Sequence, residues 1–246
     1  MYHVKVTLST AKRVLLQLTH DPRTIALIFV LPCVLLSLLA WVYSDNSAVF
    51  NQIGPALLAI FPLIIMFLIT SIATLRERTS GTLERVLITP IAKLDLLVGY
   101  ALAFGILAIV QALIANFVAL TFLNLDIAGP VWFLIVIGVA GALLGMALGL
   151  FFSVFAKNEF QAVQFMPAVI FPQLLVCGLL VPLDKMPDVL SGIAHALPMT
   201  YAVQSLQNVA NETSVSGQSW RDLFIVLGCV AIAILLGALT LRRSTK

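Results

Sequence analysis

The chain has 246 residues, of which 61% are hydrophobic and 10% are charged, and its formal net charge is +3. Typical globular domains are about 45–50% apolar and about 25% charged, and a water-soluble fold of this size could not cover so much apolar surface. The composition therefore argues against a soluble enzyme, a disordered chain and a nucleic-acid-binding domain, and it indicates an all-α polytopic membrane protein.

An amphipathic helix is predicted over residues 3–20, within an interface segment that occupies residues 1–23. Its apolar positions follow helical spacing and are Val4, Leu8, Ala11, Leu15 and Leu18. The Asp21-Pro22 pair then ends the helix. A basic amphipathic helix beside a membrane span is expected to lie in the membrane interface. Two interpretations remain open, a simple anchor or a helix that also braces a partner protein.

Six stretches are long and apolar enough to cross a bilayer, which requires about 20 residues. They are Thr24–Tyr43, Gly54–Leu75, Leu96–Leu123, Val131–Phe155, Ala162–Pro182 and Leu223–Leu241. No Asp, Glu, Lys, Arg or His occurs within them. Alternation with a period of two is absent, so the pattern favours helices over strands.

The basic residues predict the orientation of these spans. Residues 1–23, 76–95, 156–161 and 242–246 contain twelve Lys and Arg residues, whereas the opposite flanks contain two, Lys185 and Arg221. Cytoplasmic flanks carry the excess of Lys and Arg. We therefore expect a multi-pass protein of a prokaryotic cell membrane, with both termini in the cytoplasm.

The loop at residues 76–95 is unusually rich in charge for this chain. Thr82 is suited to cap a short helix that ends near Thr89, before Pro90. Its apolar face comprises Leu83, Val86 and Leu87, while Glu84 and Arg85 project elsewhere. Such a helix suits docking into a groove of another protein, although an ordinary solvated loop has the same composition.

The segment from residue 183 to residue 222 is predicted to lie on the outer side. It contains two short semi-apolar stretches, the first near Pro187 and the second from Thr200 to Val209. They are too short to span and too apolar to lie free in water. We expect re-entrant helices over residues 183–210, dipping into the outer leaflet against the bundle.

Two sets of residues within the spans are candidate functional positions. Gln164, Pro167, Pro172 and Gln173 predict a bent fifth span with inward polar groups. They form either a substrate pathway with a hinge or polar contacts between helices. Gly141, Gly145 and Gly149 form a ridge that permits close helix packing, either at a subunit interface or within one chain.

The chemistry that the sequence lacks is also informative. It has no Gly-x-x-x-x-Gly-Lys-Ser/Thr loop for ATP, no nucleophile–base set, and no metal-ligand spacing among its three histidines and three cysteines. Ion-coupled transporters usually carry ionisable groups within their spans, and the predicted spans have none. We therefore expect no catalytic residue, metal or cofactor in this chain, and an external source of energy.

Two stretches resemble the permease subunits of ATP-binding-cassette exporters of the ABC-2 class. The first is Glu77–Ile91, and the second is Phe171–Pro187 with its continuation Leu197–Val203. The resemblance covers essentially the whole chain. It implies one transmembrane permease domain over residues 1–246.

The resemblance further implies a coupling helix in residues 76–95 that enters a cleft in a separate ABC ATPase subunit. Its contact residues would be Glu77, Arg78, Thr82, Leu83, Glu84, Arg85 and Leu87. ATP and Mg²⁺ would bind to that partner, and a second permease copy or a paralogue would complete the pathway in the lipid bilayer. Outward movement of a drug-like or lipid-like amphiphile is the implied activity. An ion-coupled secondary transporter is the alternative.

Overall fold

The computed structural model describes residues 2–79 and 93–240, and over this part of the chain the secondary structure is helical, without strands. The α-helices are α1 (Tyr2–Thr19), α2 (Pro22–Val42), α3 (Ser47–Thr79), α4 (Lys93–Thr121), α5 (Val131–Ser153), α6 (Glu159–Val176), α7 (Asp188–Ala196), α8 (Pro198–Asn211) and α9 (Gly217–Thr240). A short 3₁₀ helix occupies Leu183–Lys185.

Five of these helices are long and apolar enough to cross a membrane, namely α2, α3, α4, α5 and α9. They coincide with five of the six predicted spans, and the all-α polytopic class is confirmed. The remaining predicted span, Ala162–Pro182, overlaps α6, which has 18 residues and ends at Val176. Gly178 follows with a φ of +92°, in the left-handed region that favours glycine. The assignment of α6 as a sixth span stays a prediction.

The centre of the bundle is formed by α3 and α5. In each of them 72% of the most apolar window is buried, against 17% in α2 and 33% in α9. The contact depends on the glycine ridge of α5. A Cβ atom at Gly145 would overlap the Leu63 carbonyl, and one at Gly149 would lie 2.6 Å from the Phe67 oxygen. The ridge therefore packs α5 against α3 within one chain.

Helix α1 packs against α4 rather than lying free. Its buried positions are Thr10, Ala11, Val14 and Leu18. A Cβ atom at Gly99 of α4 would lie 2.7 Å from the Thr10 Cβ, so the two helices approach each other closely. Val4 and Leu8 of the predicted apolar stripe are 62% and 58% exposed and make little contact with the bundle, so their place in the membrane interface stays a prediction. The small residues that fit against Gly99 determine the rotation of α1.

The junction between α1 and α2 is capped as the sequence indicates. The Asp21 carboxylate accepts hydrogen bonds from the Thr24 backbone N–H at 3.2 Å and from its hydroxyl at 2.7 Å. These bonds hold the pKa of Asp21 below its usual value. Pro22 occupies the first helical position, where a missing N–H costs nothing.

Two short helices, α7 and α8, connect α6 to α9 at the end of the bundle opposite α1. Helix α8 buries Met199, Val203, Leu206 and Val209 against the hydrophobic core. The two short helices predicted between residues 183 and 210 are therefore present. Neither is long enough to cross a bilayer.

Candidate functional site

Three consecutive charged residues end α3, directly before the loop that carries the predicted coupling helix. They are Arg76, Glu77 and Arg78, and each contacts a different part of the bundle. We call these three residues and their partners the α3 node. Of the predicted coupling residues, Thr82, Leu83, Glu84, Arg85 and Leu87 lie outside the described residues, and the α3 node is the described part of this site.

Glu77 joins α3 to both α1 and α4. The Arg13 guanidinium donates to its two carboxylate oxygens at 3.1 and 3.0 Å, as a bidentate pair. The Tyr100 hydroxyl also donates to Glu77 and accepts from Arg13 at 3.2 Å. The Glu77 side chain is 15% exposed, and Tyr100 is fully buried. Because water reaches this carboxylate poorly, removal of Arg13 would take away a positive charge that water replaces only in part.

Arg78 joins α3 to the end of α5. Its guanidinium donates to the carbonyl oxygens of Ser153 at 2.9 Å, Val154 at 2.8 Å and Ala156 at 2.7 Å. The last four carbonyls of a helix lack intrahelical donors, and a cation there also interacts favourably with the helix dipole. Arg78 therefore serves as the C-terminal cap of α5.

Arg76 joins α3 to the start of α6. It donates to the two Glu159 oxygens at 2.9 and 3.2 Å, and Glu159 lies in the first turn of α6. The hydrogen bonds from Arg76 hold the pKa of Glu159 below its usual value. Both side chains are more than half exposed, so this pair is the weakest contact of the α3 node.

The node gives the two described coupling residues partners within the chain. Sequence reasoning missed those partners, because Arg13, Tyr100 and the carbonyls at the end of α5 lie in three other predicted elements. Of these partners, Tyr100 was the easiest to anticipate from the sequence, since a phenol hydroxyl in an apolar span requires a polar partner. The role of Glu77 and Arg78 as ATPase contacts stays a prediction.

The predicted pathway residues lie on different faces of α6. Gln164, Pro167 and Pro172 are exposed, whereas Gln173 is buried and donates to the Val169 carbonyl at 3.0 Å. The exposed face also carries Phe171, which is 50% exposed. An exposed amide at this position in a helix bundle within a membrane would require a polar partner.

The first turns of α9 carry two charged residues, Arg221 and Asp222, which directly precede the predicted span. Helix α9 begins at Gly217 rather than at residue 223, and it therefore includes Asp222. This side chain is fully buried, and its Oδ1 atom lies 3.4 Å from the Arg221 guanidinium. Its Oδ2 atom has no hydrogen-bond partner among the described residues. The predicted span Leu223–Leu241 itself contains no charged residue, so the argument against ion coupling stays a prediction.

Comparisons with known proteins agree with this architecture. The family model for the ABC-2 type transporter matches residues 6–210, so the chain belongs to the ABC-2 type transporter family. It is 25% identical to ABC transporter G family member 20 of Dictyostelium discoideum over 82% of this chain and 28% of that protein. It is 28% identical to the probable multidrug ABC transporter permease YbhS of Escherichia coli over 68% of this chain and 45% of that protein.

A third relative is the probable multidrug ABC transporter permease YbhR of Escherichia coli. It is 24% identical over 75% of this chain and 50% of that protein. The matched part of this chain thus spans half or less of the length of these relatives.

Proposed function

We propose that the chain is the membrane-spanning permease of an ATP-driven exporter, and that a separate ABC ATPase subunit hydrolyses ATP. The observation that carries this proposal is the α3 node at the entry to the loop of residues 80–92. Arg76, Glu77 and Arg78 join the end of α3, directly before this loop, to α1, α4, α5 and α6. A force applied to the loop would therefore reach most of the bundle at once.

The loop itself supplies the ATPase contact in this proposal. Thr82 caps the coupling helix, Leu83 and Leu87 enter a cleft of the ATPase, and Glu84 and Arg85 make polar contacts with it. ATP-driven closure of the ATPase dimer then moves the loop, and the bundle shifts between two packings. The basic end of the bundle, with both termini, faces the cytoplasm, since Lys and Arg concentrate there.

The exposed face of α6 supports assembly with a second permease. Gln164, Pro167 and Pro172 lie on this face, where an amide in contact with lipid would be unfavourable. A second copy or a paralogue covers the face, and the pathway runs between the two chains. The cargo is a drug-like or lipid-like amphiphile. The printed names of YbhS and YbhR, probable multidrug permeases, favour this class.

The experiment is purification of the tagged chain from its native membrane in mild detergent, with ATPase activity assayed in the eluate. We expect an ATPase subunit to co-elute, and the double variant Glu84→Lys with Arg85→Glu to lose it. The matched control is Lys185→Glu with Glu212→Lys, which exchanges an acid and a base at the opposite end. Loss of the ATPase in both double variants, or in neither, contradicts the proposal.

An ion-coupled secondary transporter is the second candidate, because Asp222 is a buried carboxylate within a span helix. The two candidates differ in their energy source. With the dye Hoechst 33342 supplied outside inverted vesicles, vanadate stops ATP-driven uptake of the dye, whereas a protonophore stops proton-driven uptake. Uptake that is stopped by the protonophore and unaffected by vanadate would favour the second candidate.

A further inference from the structure

A cavity of about 650 Å³ lies at the end of the bundle opposite α1. It is a half-open cleft lined by the start of α3, the chain that follows α6, helices α7 and α8, and the start of α9. Amide side chains from three of these helices line it, namely Gln52, Gln204, Gln207, Asn208, Asn211 and Gln218. Ligand pockets commonly have volumes of about 300–1,000 Å³, so the cavity has the size of a small-molecule site.

Helix α8 presents its amides to the cavity as one stripe. Gln204, Gln207, Asn208 and Asn211 are separated by three, one and three residues, which places them on one face of the helix. The other face carries the buried Val203, Leu206 and Val209 described above. The apolar packing of α8 therefore fixes the direction in which the amide stripe points.

The lining is polar but carries little charge. Among the described residues that line the cavity, Asp184 and His195 are the titratable groups. Six of the 16 glutamine and asparagine residues of the chain lie here. A surface that faces only water is usually rich in Lys, Glu, Arg and Asp. The concentration of amides is instead the chemistry of a site for a neutral, hydrogen-bonding ligand.

We propose that this cavity binds a neutral, hydroxyl-rich group, either a free sugar or polyol or the head group of a glycolipid. An amide side chain offers two N–H donors and a carbonyl acceptor, and a hydroxyl both donates and accepts, so the two groups pair without a net charge. The apolar residues Ile53, Leu179 and Leu183 at the same cavity contact the carbon skeleton of the ligand. Strongly charged ligands should bind weakly, because the cavity lining offers few charged groups to pair with them.

This binding is a property of the chain alone and stands apart from ATP-driven transport. The test uses the full chain in phosphatidylcholine nanodiscs and measures maltose binding by saturation-transfer difference NMR. We expect the double variant Gln204→Leu with Gln207→Leu to bind maltose about tenfold more weakly, because two hydrogen-bonding side chains are lost. Gln52→Leu, across the cavity on α3, provides a second variant should the first fail to fold.

The control variant is Gln17→Leu, an exposed amide on α1 at the other end of the bundle, and it retains wild-type maltose binding. Nanodiscs that also contain digalactosyl diacylglycerol distinguish the two sources of the sugar. Displacement of maltose by this lipid identifies a glycolipid head group, and continued maltose binding identifies a free sugar. The proposal is overturned if neither ligand binds, or if binding is the same in the cavity variants and the wild type. Because no ATPase is present, this failure would leave the proposed exporter function untouched.

Discussion

The Gln111 amide of α4 donates a 2.8 Å hydrogen bond to the Ile28 carbonyl of α2, deep inside the bundle. Pro32 lies four residues after Ile28 in the same helix and has no N–H to offer that carbonyl. An unsatisfied carbonyl is costly where water is absent. Gln111 therefore replaces the hydrogen bond that Pro32 removes, and it ties α2 to α4.

Replacement of Gln111 by leucine should destabilise the protein by about 1–2 kcal/mol, because the Ile28 carbonyl loses its donor. Pro32→Ala restores a backbone N–H in α2 that can donate to the Ile28 carbonyl. In the Pro32→Ala background, Gln111→Leu should therefore lower the free energy of unfolding by a smaller amount. The double-mutant cycle is measured by thermal unfolding in detergent. Strictly additive effects of the two substitutions would contradict this role of Gln111.

The glycine ridge of α5 offers a sharp packing test. Gly145→Ala should destabilise the bundle by about 3 kcal/mol, since the new Cβ overlaps the Leu63 backbone and α3 must move away. Gly228 in α9 is the matched control, because a Cβ atom there meets nothing within 4 Å. Its alanine variant should be neutral or slightly stabilising in the same unfolding measurement. Equal effects at the two positions would disprove the packing argument.

The contact between Arg76 and Glu159 should depend on pH. The pKa of Glu159 is lower in the folded protein, so its ion pair adds stability above the unfolded pKa of about 4.3. This contribution is lost as the pH falls through the lowered folded value. The stability difference between wild type and Glu159→Gln should therefore be a few tenths of a kcal/mol at pH 7 and vanish near pH 3. A difference that is constant from pH 7 to pH 3 would exclude the ion pair as its source.

The Arg78 cap of α5 should tolerate lysine poorly. Lysine keeps the charge but cannot reach the carbonyls of Ser153, Val154 and Ala156 with one planar group. We expect Arg78→Lys to lower the free energy of unfolding by about 1–2 kcal/mol. Arg76→Lys, at an exposed ion pair, should lower it by about a few tenths of a kcal/mol. Unfolding of both variants in the same detergent gives the comparison, and the reverse order would argue against Arg78 as the cap.

Hydropathy was sufficient to predict the helical class and five of the spans, because length and composition alone decide whether a helix can cross a bilayer. The rotation of α1 was not predictable in this way. Its apolar stripe did not indicate which residues meet α4, and the close approach of Thr10 to Gly99 of α4 identifies the contact face. Such a contact between distant segments leaves no local pattern in the sequence.

The candidate site was predicted in part. The sequence marked Glu77 and Arg78 as important, since charge is rare in this chain, and it assigned them to a partner protein. Glu77 pairs with Arg13 and Tyr100, which lie 64 and 23 residues away in sequence, and the carbonyls that Arg78 contacts lie 75 or more residues away. The last predicted span begins after Asp222, because a hydropathy window ends at a charged residue, whereas helix α9 already begins at Gly217.

The central claim is that Glu77 transmits motion of the coupling loop into the bundle through Arg13 and Tyr100. It is tested most directly by the ratio of Hoechst 33342 transported to ATP hydrolysed, measured for Glu77→Gln in vesicles with its co-purified ATPase. The account predicts that the ATPase still co-elutes and hydrolyses ATP, while the ratio falls about tenfold. Wild-type co-elution with an unchanged ratio would contradict it, and loss of the ATPase itself would show that Glu77 contacts the partner instead.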